Sequence, residues 1–277
     1  MKHFNYNPAD PLIIDKDGLF AHGQSIKDQY NSASPFPHIV LDDFLPQATI
    51  DELNKGFPQN PALREDVFDR AQERLKVSYN PDMLSPQVRQ IFNTLNSQPF
   101  IQFLEQMTGI SGLIPDHWYE GAGFHETLQG GHLNIHTDFN LHKKLNLERR
   151  LNLLIYLNDD WENTHGGCLE LWDQKMGSAK VTVVPRTNTC VVFSTTDSSF
   201  HGHPVPTNHP QSKPRRSLAL YYYTATWSEH RVEHTTQFKV RPGSEDKFDY
   251  QVRLRSLLKD LVPPLLARRI RQHRSSI

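Results

Sequence analysis

Near residue 112 the apolar side chains change their period, and the two patterns predict different elements. Before that point they recur at helical spacing. Ser85-Pro86-Gln87-Val88-Arg89-Gln90-Ile91-Phe92-Asn93-Thr94-Leu95 offers a capping serine, a proline at the first helical position and apolar residues near helical spacing. Residues 100–107 continue that character. Residues 46–53 predict another helix start, with acidic residues in an early turn. Residues 35–45 read as a strand running into a turn. From residue 113 to about 228 the apolar runs shorten and alternate. Turn chemistry separates them: Gly130-Gly131, Asn158-Asp159-Asp160, Gly166-Gly167 and Pro185-Arg186-Thr187-Asn188. Strands are expected over 151–157, 168–172, 180–184, 189–193 and 217–224. Many short strands at such spacing predict a sandwich or barrel. The chain then leaves through Pro242-Gly243 into a helix-like stretch, 250–274, interrupted at Pro263-Pro264.

This patterning gives an α+β class, mainly β, in three parts. Residues 1–112 form a mixed helical segment that supports the barrel, 113–228 the β core, and 229–277 a loop and helical extension. A length of 277 residues suits one large decorated domain and is enough to bury a sizeable core. Charge is balanced, with 30 basic against 31 acidic side chains, so nothing global favours nucleic acid or a membrane surface. No apolar run reaches the eighteen or so residues of a membrane span, and the first thirty residues lack the apolar core of a signal peptide. Cys168 and Cys190 are the only cysteines, which argues against a disulfide framework and for a reducing, cytoplasmic setting. Histidine is abundant, at 15, so a lone one carries little weight.

Candidate chemistry sits in the second part. His136-Thr137-Asp138 closes a strand-like run, and Phe200-His201-Gly202-His203-Pro204 follows. Residues i and i+2 share a strand face, so His136 and Asp138 can reach one ion together. A third ligand must come from elsewhere, and His201 and His203 compete for that place. Two imidazoles and one carboxylate on one face of an octahedron suit non-haem Fe(II), whereas a structural zinc site closes with four protein ligands. Arg215-Arg216-Ser217 then heads the run Leu218-Ala219-Leu220-Tyr221-Tyr222-Tyr223. If Leu218, Leu220 and Tyr222 pack outward, Arg215, Ser217 and Ala219 point into the barrel. A buried guanidinium needs an anion, and a dicarboxylate cosubstrate supplies one, with the Ser217 hydroxyl as a second donor. Arg216 reads as a surface residue.

In this order the pieces resemble the Fe(II)/2-oxoglutarate-dependent dioxygenases, in the prolyl-4-hydroxylase-like branch, over roughly residues 115–225. Besides the motifs above, the resemblance rests on Leu154-Ile155-Tyr156-Leu157-Asn158-Asp159-Asp160-Trp161 and Gly166-Gly167-Cys168-Leu169-Glu170-Leu171. It implies a double-stranded β-helix, or jelly roll, with flanking N-terminal helices. It assigns His136, Asp138 and His201 as ligands of Fe(II), Arg215 as the clamp on the distal carboxylate of 2-oxoglutarate, and Tyr156 as a hydroxyl donor to that carboxylate. His201 is preferred to His203 because the family places its distal histidine a few residues before a Val-Pro-like turn. The implied reaction is hydroxylation, because related halogenases lack the carboxylate that Asp138 provides. The implied partners are dioxygen and a small-molecule, sugar-derived or amino-acid-derived substrate. Other oxidative outcomes, protein side-chain hydroxylation and a non-catalytic sensor are the alternatives. One departure is the long loop 204–214 between His201 and Arg215. Asn134 shares strand phase with His136, while Phe139, Asn140 and His142 are expected at a rim. The basic stretch 141–150 and the cluster 268–274 read as solvated, and Tyr221, Tyr222 and Tyr223 as core.

Overall fold

A computed structural model describes residue 3 and residues 15–225 and 233–246. The expected helix 250–274 and basic cluster 268–274 lie outside the described residues. Five α-helices precede the barrel: α1 (Lys16–Ser25), α2 (Lys27–Asn31), α3 (Gln47–Lys55), α4 (Pro86–Leu95) and α5 (Gln98–Thr108). Among them run β1 (His38–Leu41), β2 (Asp66–Phe68) and β3 (Glu73–Tyr79). The barrel strands follow: β4 (Ile114–Pro115), β5 (Gly123–Thr137), β6 (Leu141–His142), β7 (Leu147–Tyr156), β8 (Leu169–Trp172) and β9 (Ala179–Val183). Then come β10 (Cys190–Ser194), β11 (Phe200–His203), β12 (Arg215–Thr224) and β13 (Gln237–Phe238).

All paired strands are antiparallel, in the order β1-β10-β7-β12-β5-β11-β8-β9, with the remaining strands attached at the sides. The order interleaves early and late strands, and the sheet forms the nearly closed, barrel-like jelly roll that the resemblance implied. The first segment is less helical than expected. β1 pairs with β10, and the β2–β3 hairpin lies along β5. Glu-Arg-Leu-Lys-Val-Ser-Tyr carries mostly polar side chains, and its strand character comes from the neighbour that accepts its backbone hydrogen bonds. No helix among the described residues is long and apolar enough to cross a membrane.

Helices α4 and α5 explain why one face of the barrel is dry. Ser85 Oγ accepts a hydrogen bond from the Val88 amide, and Pro86 opens the helix, as the sequence predicts. Gly109, at φ 75°, ends α5 in a left-handed turn that suits glycine. Ile91, Phe92, Leu95, Phe100, Phe103, Leu104 and Met107 join Leu218, Leu220 and Tyr222 in one core. Tyr222 donates to the Leu95 carbonyl at 2.8 Å, which ties strand to helix. Covering each such Leu or Phe stabilises the fold by about 1.5–3 kcal/mol before entropy is counted. With the even-numbered residues of β12 turned outward, Arg215, Ser217, Ala219 and Tyr221 face the barrel interior.

Candidate active site

The antiparallel pairing of β5 with β11 sets His136 directly opposite His201. Their rings lie 4.5 Å apart, and Asp138 stands just beyond the end of β5. One side-chain donor atom from each of His136, Asp138 and His201 falls within 4.8 Å of the others. His136 Nε2 is 3.6 Å from Asp138 Oδ1, and His201 Nε2 is 3.4 Å from Asp138 Oδ2. The far nitrogens are committed elsewhere: His136 Nδ1 to the Asn134 carbonyl at 2.8 Å and His201 Nδ1 to the Ser199 carbonyl at 3.0 Å. A carbonyl only accepts, so each Nδ1 carries the proton and each Nε2 presents a lone pair to the common centre. Burial pushes the His201 pKa down to about 4, against the pull of Asp138. That ring is therefore neutral at ordinary pH. Burial alone would raise the Asp138 pKa, but Arg149, His201 and His136 outweigh it and hold the carboxyl well below its usual range. The set is two imidazoles and one carboxylate, the donor chemistry that Fe(II) takes. His203 also points inward but lies outside this group. It is buried, its Nδ1 finds no partner, and burial and Arg215 lower its pKa.

Deeper in the barrel Ser217 sits opposite Tyr156 on β7 and opposite His125 on β5. Arg215 starts the same strand and is 5% exposed. Its Nε donates to the Gly167 carbonyl at 2.7 Å, and its guanidinium lies 4.9 Å from the Tyr156 ring centre. Gly167 has φ 64°, and a Cβ there would come within 3.0 Å of Arg215 Cδ, so glycine lets the chain pass the arginine. No carboxylate of the described residues pairs with Arg215, and burial drives its pKa below the ordinary guanidinium value. Tyr156 is fully buried and its Oη makes no hydrogen bond. Burial raises its pKa, with Arg215 opposing. Leu169, Leu171, Val191 and Phe193 pack with Tyr156 around this space. An unpaired buried cation beside an unpaired hydroxyl in apolar walls fits a carboxylate and the short chain behind it. Arg216, one residue on, turns to the other face and pairs with Glu126 at 3.0 Å.

Two expectations for 141–150 need correcting. His142 is not at a rim. It is fully buried and its Nε2 donates to Asp116 Oδ1 at 3.2 Å. Lys143 and Lys144 are exposed, as a solvated turn requires, but Arg149 is 1% exposed. Its Nη2 lies 3.2 Å from Asp138 Oδ2, and Asn152 Nδ2 donates to the same oxygen at 2.6 Å. Arg149 and Asn152 are three apart, so a regular strand would place them on opposite faces. A bulge prevents that: Tyr222 pairs with Leu151 and Tyr223 with Arg149, leaving Arg150 extra. The one-residue slip turns Arg149 inward, and no signal in the run Glu-Arg-Arg-Leu-Asn marks it.

Residues 122–223 match the model of the 2OG-Fe(II) oxygenase superfamily. The fold is similar to a prolyl-4-hydroxylase from Pseudomonas putida (TM-score 0.50, 16% identity, 73% of this chain and 98% of that one). It is also similar to a prolyl hydroxylase from Trichoplax adhaerens in complex with a hypoxia inducible factor oxygen degradation domain peptide fragment (TM-score 0.50, 14% identity, 75% of this chain and 91% of that one). HygX from Streptomyces hygroscopicus, with nickel and 2-oxoglutarate bound, aligns at TM-score 0.47 and 11% identity, over 72% of this chain and 92% of that one. No curated protein sequence matches the chain.

Proposed function

We propose, for a chain whose residues 122–223 form a 2OG-Fe(II) oxygenase domain, that it hydroxylates a C–H bond of a small-molecule substrate derived from a sugar or an amino acid. The enzyme is a 2-oxoglutarate-dependent dioxygenase, and its cofactors are Fe(II) and 2-oxoglutarate. His136, Asp138 and His201 would hold the iron. Arg215, with Tyr156 Oη and Ser217, would hold the distal carboxylate of 2-oxoglutarate. The observation that carries the assignment is the meeting of two Nε2 lone pairs and one carboxylate within 4.8 Å. When bound, iron and 2-oxoglutarate together supply the oxidising power, spending dioxygen to give succinate, CO2 and one oxygen atom for the substrate.

The protein's own part is orientation and exclusion. The Nδ1 bonds of His136 and His201 stop the rings from turning their lone pairs away. Arg215 and Tyr156 fix the far end of the cosubstrate in a dry pocket, where a guanidinium–carboxylate pair is strongest. Asp138 keeps one ligand position anionic and closed to halide, which supports hydroxylation over halogenation. The Trichoplax neighbour is a peptide complex, but at 14% identity that likeness carries the fold and not the substrate. Cys168 and Cys190 are both free thiols, which supports a reducing, cytoplasmic setting.

The test is succinate formation from 2-oxoglutarate with added Fe(II), run without substrate, beside metal analysis of two variants. Wild type should form succinate only when Fe(II) is present. His201→Ala should lose bound iron and turnover, whereas His203→Ala should keep its iron. Full iron in His201→Ala and none in His203→Ala would reverse the third ligand.

A further inference from the structure

We propose that Arg149 and Asn152 are positioning residues that hold the Asp138 carboxylate in place as a metal ligand beside His136 and His201. The inference rests on the reading of His136, Asp138 and His201 as the iron ligands. A carboxylate has two oxygens and can chelate with both. Here the two are not equivalent. Oδ2 accepts from Asn152 Nδ2 at 2.6 Å and lies 3.2 Å from Arg149 Nη2. Asn152 thus hydrogen-bonds that oxygen, and Arg149 faces it as an ion-pair partner. Oδ1 lies 3.6 Å from His136 Nε2 and Oδ2 3.4 Å from His201 Nε2, so both oxygens border the centre.

The donors are themselves fixed. Arg149 Nε and Nη2 both donate to Asn152 Oδ1, at 3.0 and 2.6 Å. With its oxygen held there, the Asn152 amide can only aim its NH2 group at Asp138. Arg149 is held in turn by stacking. Its guanidinium carbon lies 3.5 Å from the Tyr221 ring centre and 4.5 Å from that of Phe139. Tyr221 Oη is anchored on the Gly121 carbonyl at 2.8 Å. The β7 bulge that turns Arg149 inward is the backbone device that brings all four groups together.

A plain buried ion pair that only stabilises the barrel is the competing account, and metal binding separates the two. Co(II) is titrated into metal-free wild type, Asn152→Ala, Arg149→Gln and His136→Ala, without 2-oxoglutarate and without turnover. Affinity and the visible absorption of the bound ion are read, and circular dichroism of the metal-free proteins reports the fold. Asn152→Ala should bind Co(II) about 10- to 100-fold more weakly, the usual effect of losing a hydrogen-bond partner of a ligand. Its Co(II) spectrum should change, and its metal-free fold should match wild type. Arg149→Gln should move affinity and spectrum in the same direction. If that variant does not fold, Asn152→Ala carries the test alone. Wild-type affinity and spectrum in Asn152→Ala would overturn the proposal, as would a loss that tracks a lost fold. Undiminished Co(II) binding in His136→Ala would instead overturn the metal assignment on which the proposal stands.

Discussion

Arg215 shows how one residue can report a ligand's chemistry. Its side chain is buried, stacked toward Tyr156 and bound through Nε, and its remaining donors have no acidic partner among the described residues. Leaving a guanidinium so placed costs stability unless an anion arrives. A lysine would keep the charge and lose the planar fork. Arg215→Lys should therefore raise KM for 2-oxoglutarate about 10- to 100-fold, the equivalent of roughly 1.5–3 kcal/mol for a charged hydrogen bond. Metal binding should be unchanged, because Arg215 is not one of the three residues grouped around the common centre. Steady-state kinetics beside a Co(II) titration measures both, and an unaltered KM would move the clamp elsewhere. Arg149 makes the opposite point. The same residue type, equally buried, already has its anion in Asp138.

At the level of elements, α5 is a support and not a part of the site. Phe100, Phe103 and Leu104 are fully buried in the core between helix and barrel, with the rings of Phe100 and Phe103 5.6 Å apart. Phe103→Ala removes a ring from that core and should cost about 3–5 kcal/mol of stability. Turnover per folded molecule should stay near wild type, since Tyr156 packs in a separate apolar cluster from Phe103. Chemical denaturation paired with an activity assay at low temperature checks the split. A loss of specific activity without a loss of stability would contradict it. The neighbouring helix α4 was legible in advance, because Ser85-Pro86 and the apolar spacing after it are local signals. The β2–β3 hairpin was not, because its polar run becomes a strand only by pairing with β5.

For the molecule as a whole, the candidate site draws on strands that belong to one sheet. The triad, Tyr156 and Arg215 come from β5 and its end and from β11, β7 and β12, all hydrogen-bonded in one sheet. Ligands that bind only the folded barrel should then raise its melting temperature by mass action. At a hundredfold excess over Kd the gain is about 2.7 kcal/mol for each ligand. Thermal melts should rise with Co(II), rise further with 2-oxoglutarate, and fall back with a chelator while the fold survives. Unfolding on chelation would mean that the metal builds the barrel.

The sequence by itself determined the strand-rich core and most of the site's membership. His136 and Asp138 are two residues apart, and Arg215 and Ser217 likewise, so strand alternation alone puts each pair on one face. The apolar run between Leu218 and Tyr223 says which face is covered. From strand phase alone two histidines compete for the third place, and the tertiary structure groups His201 with the pair, as the resemblance implied. His201 and His203 have the same strand phase, and the cross-strand partner His136 chooses between them. The same holds for Arg149. Its burial depends on a bulge whose extra residue is set by the register of β12 against β7, a relation between segments some seventy residues apart. Local patterning fixes the faces of a strand, but pairing fixes its neighbours, and the contacts to Asp138 are made between neighbours.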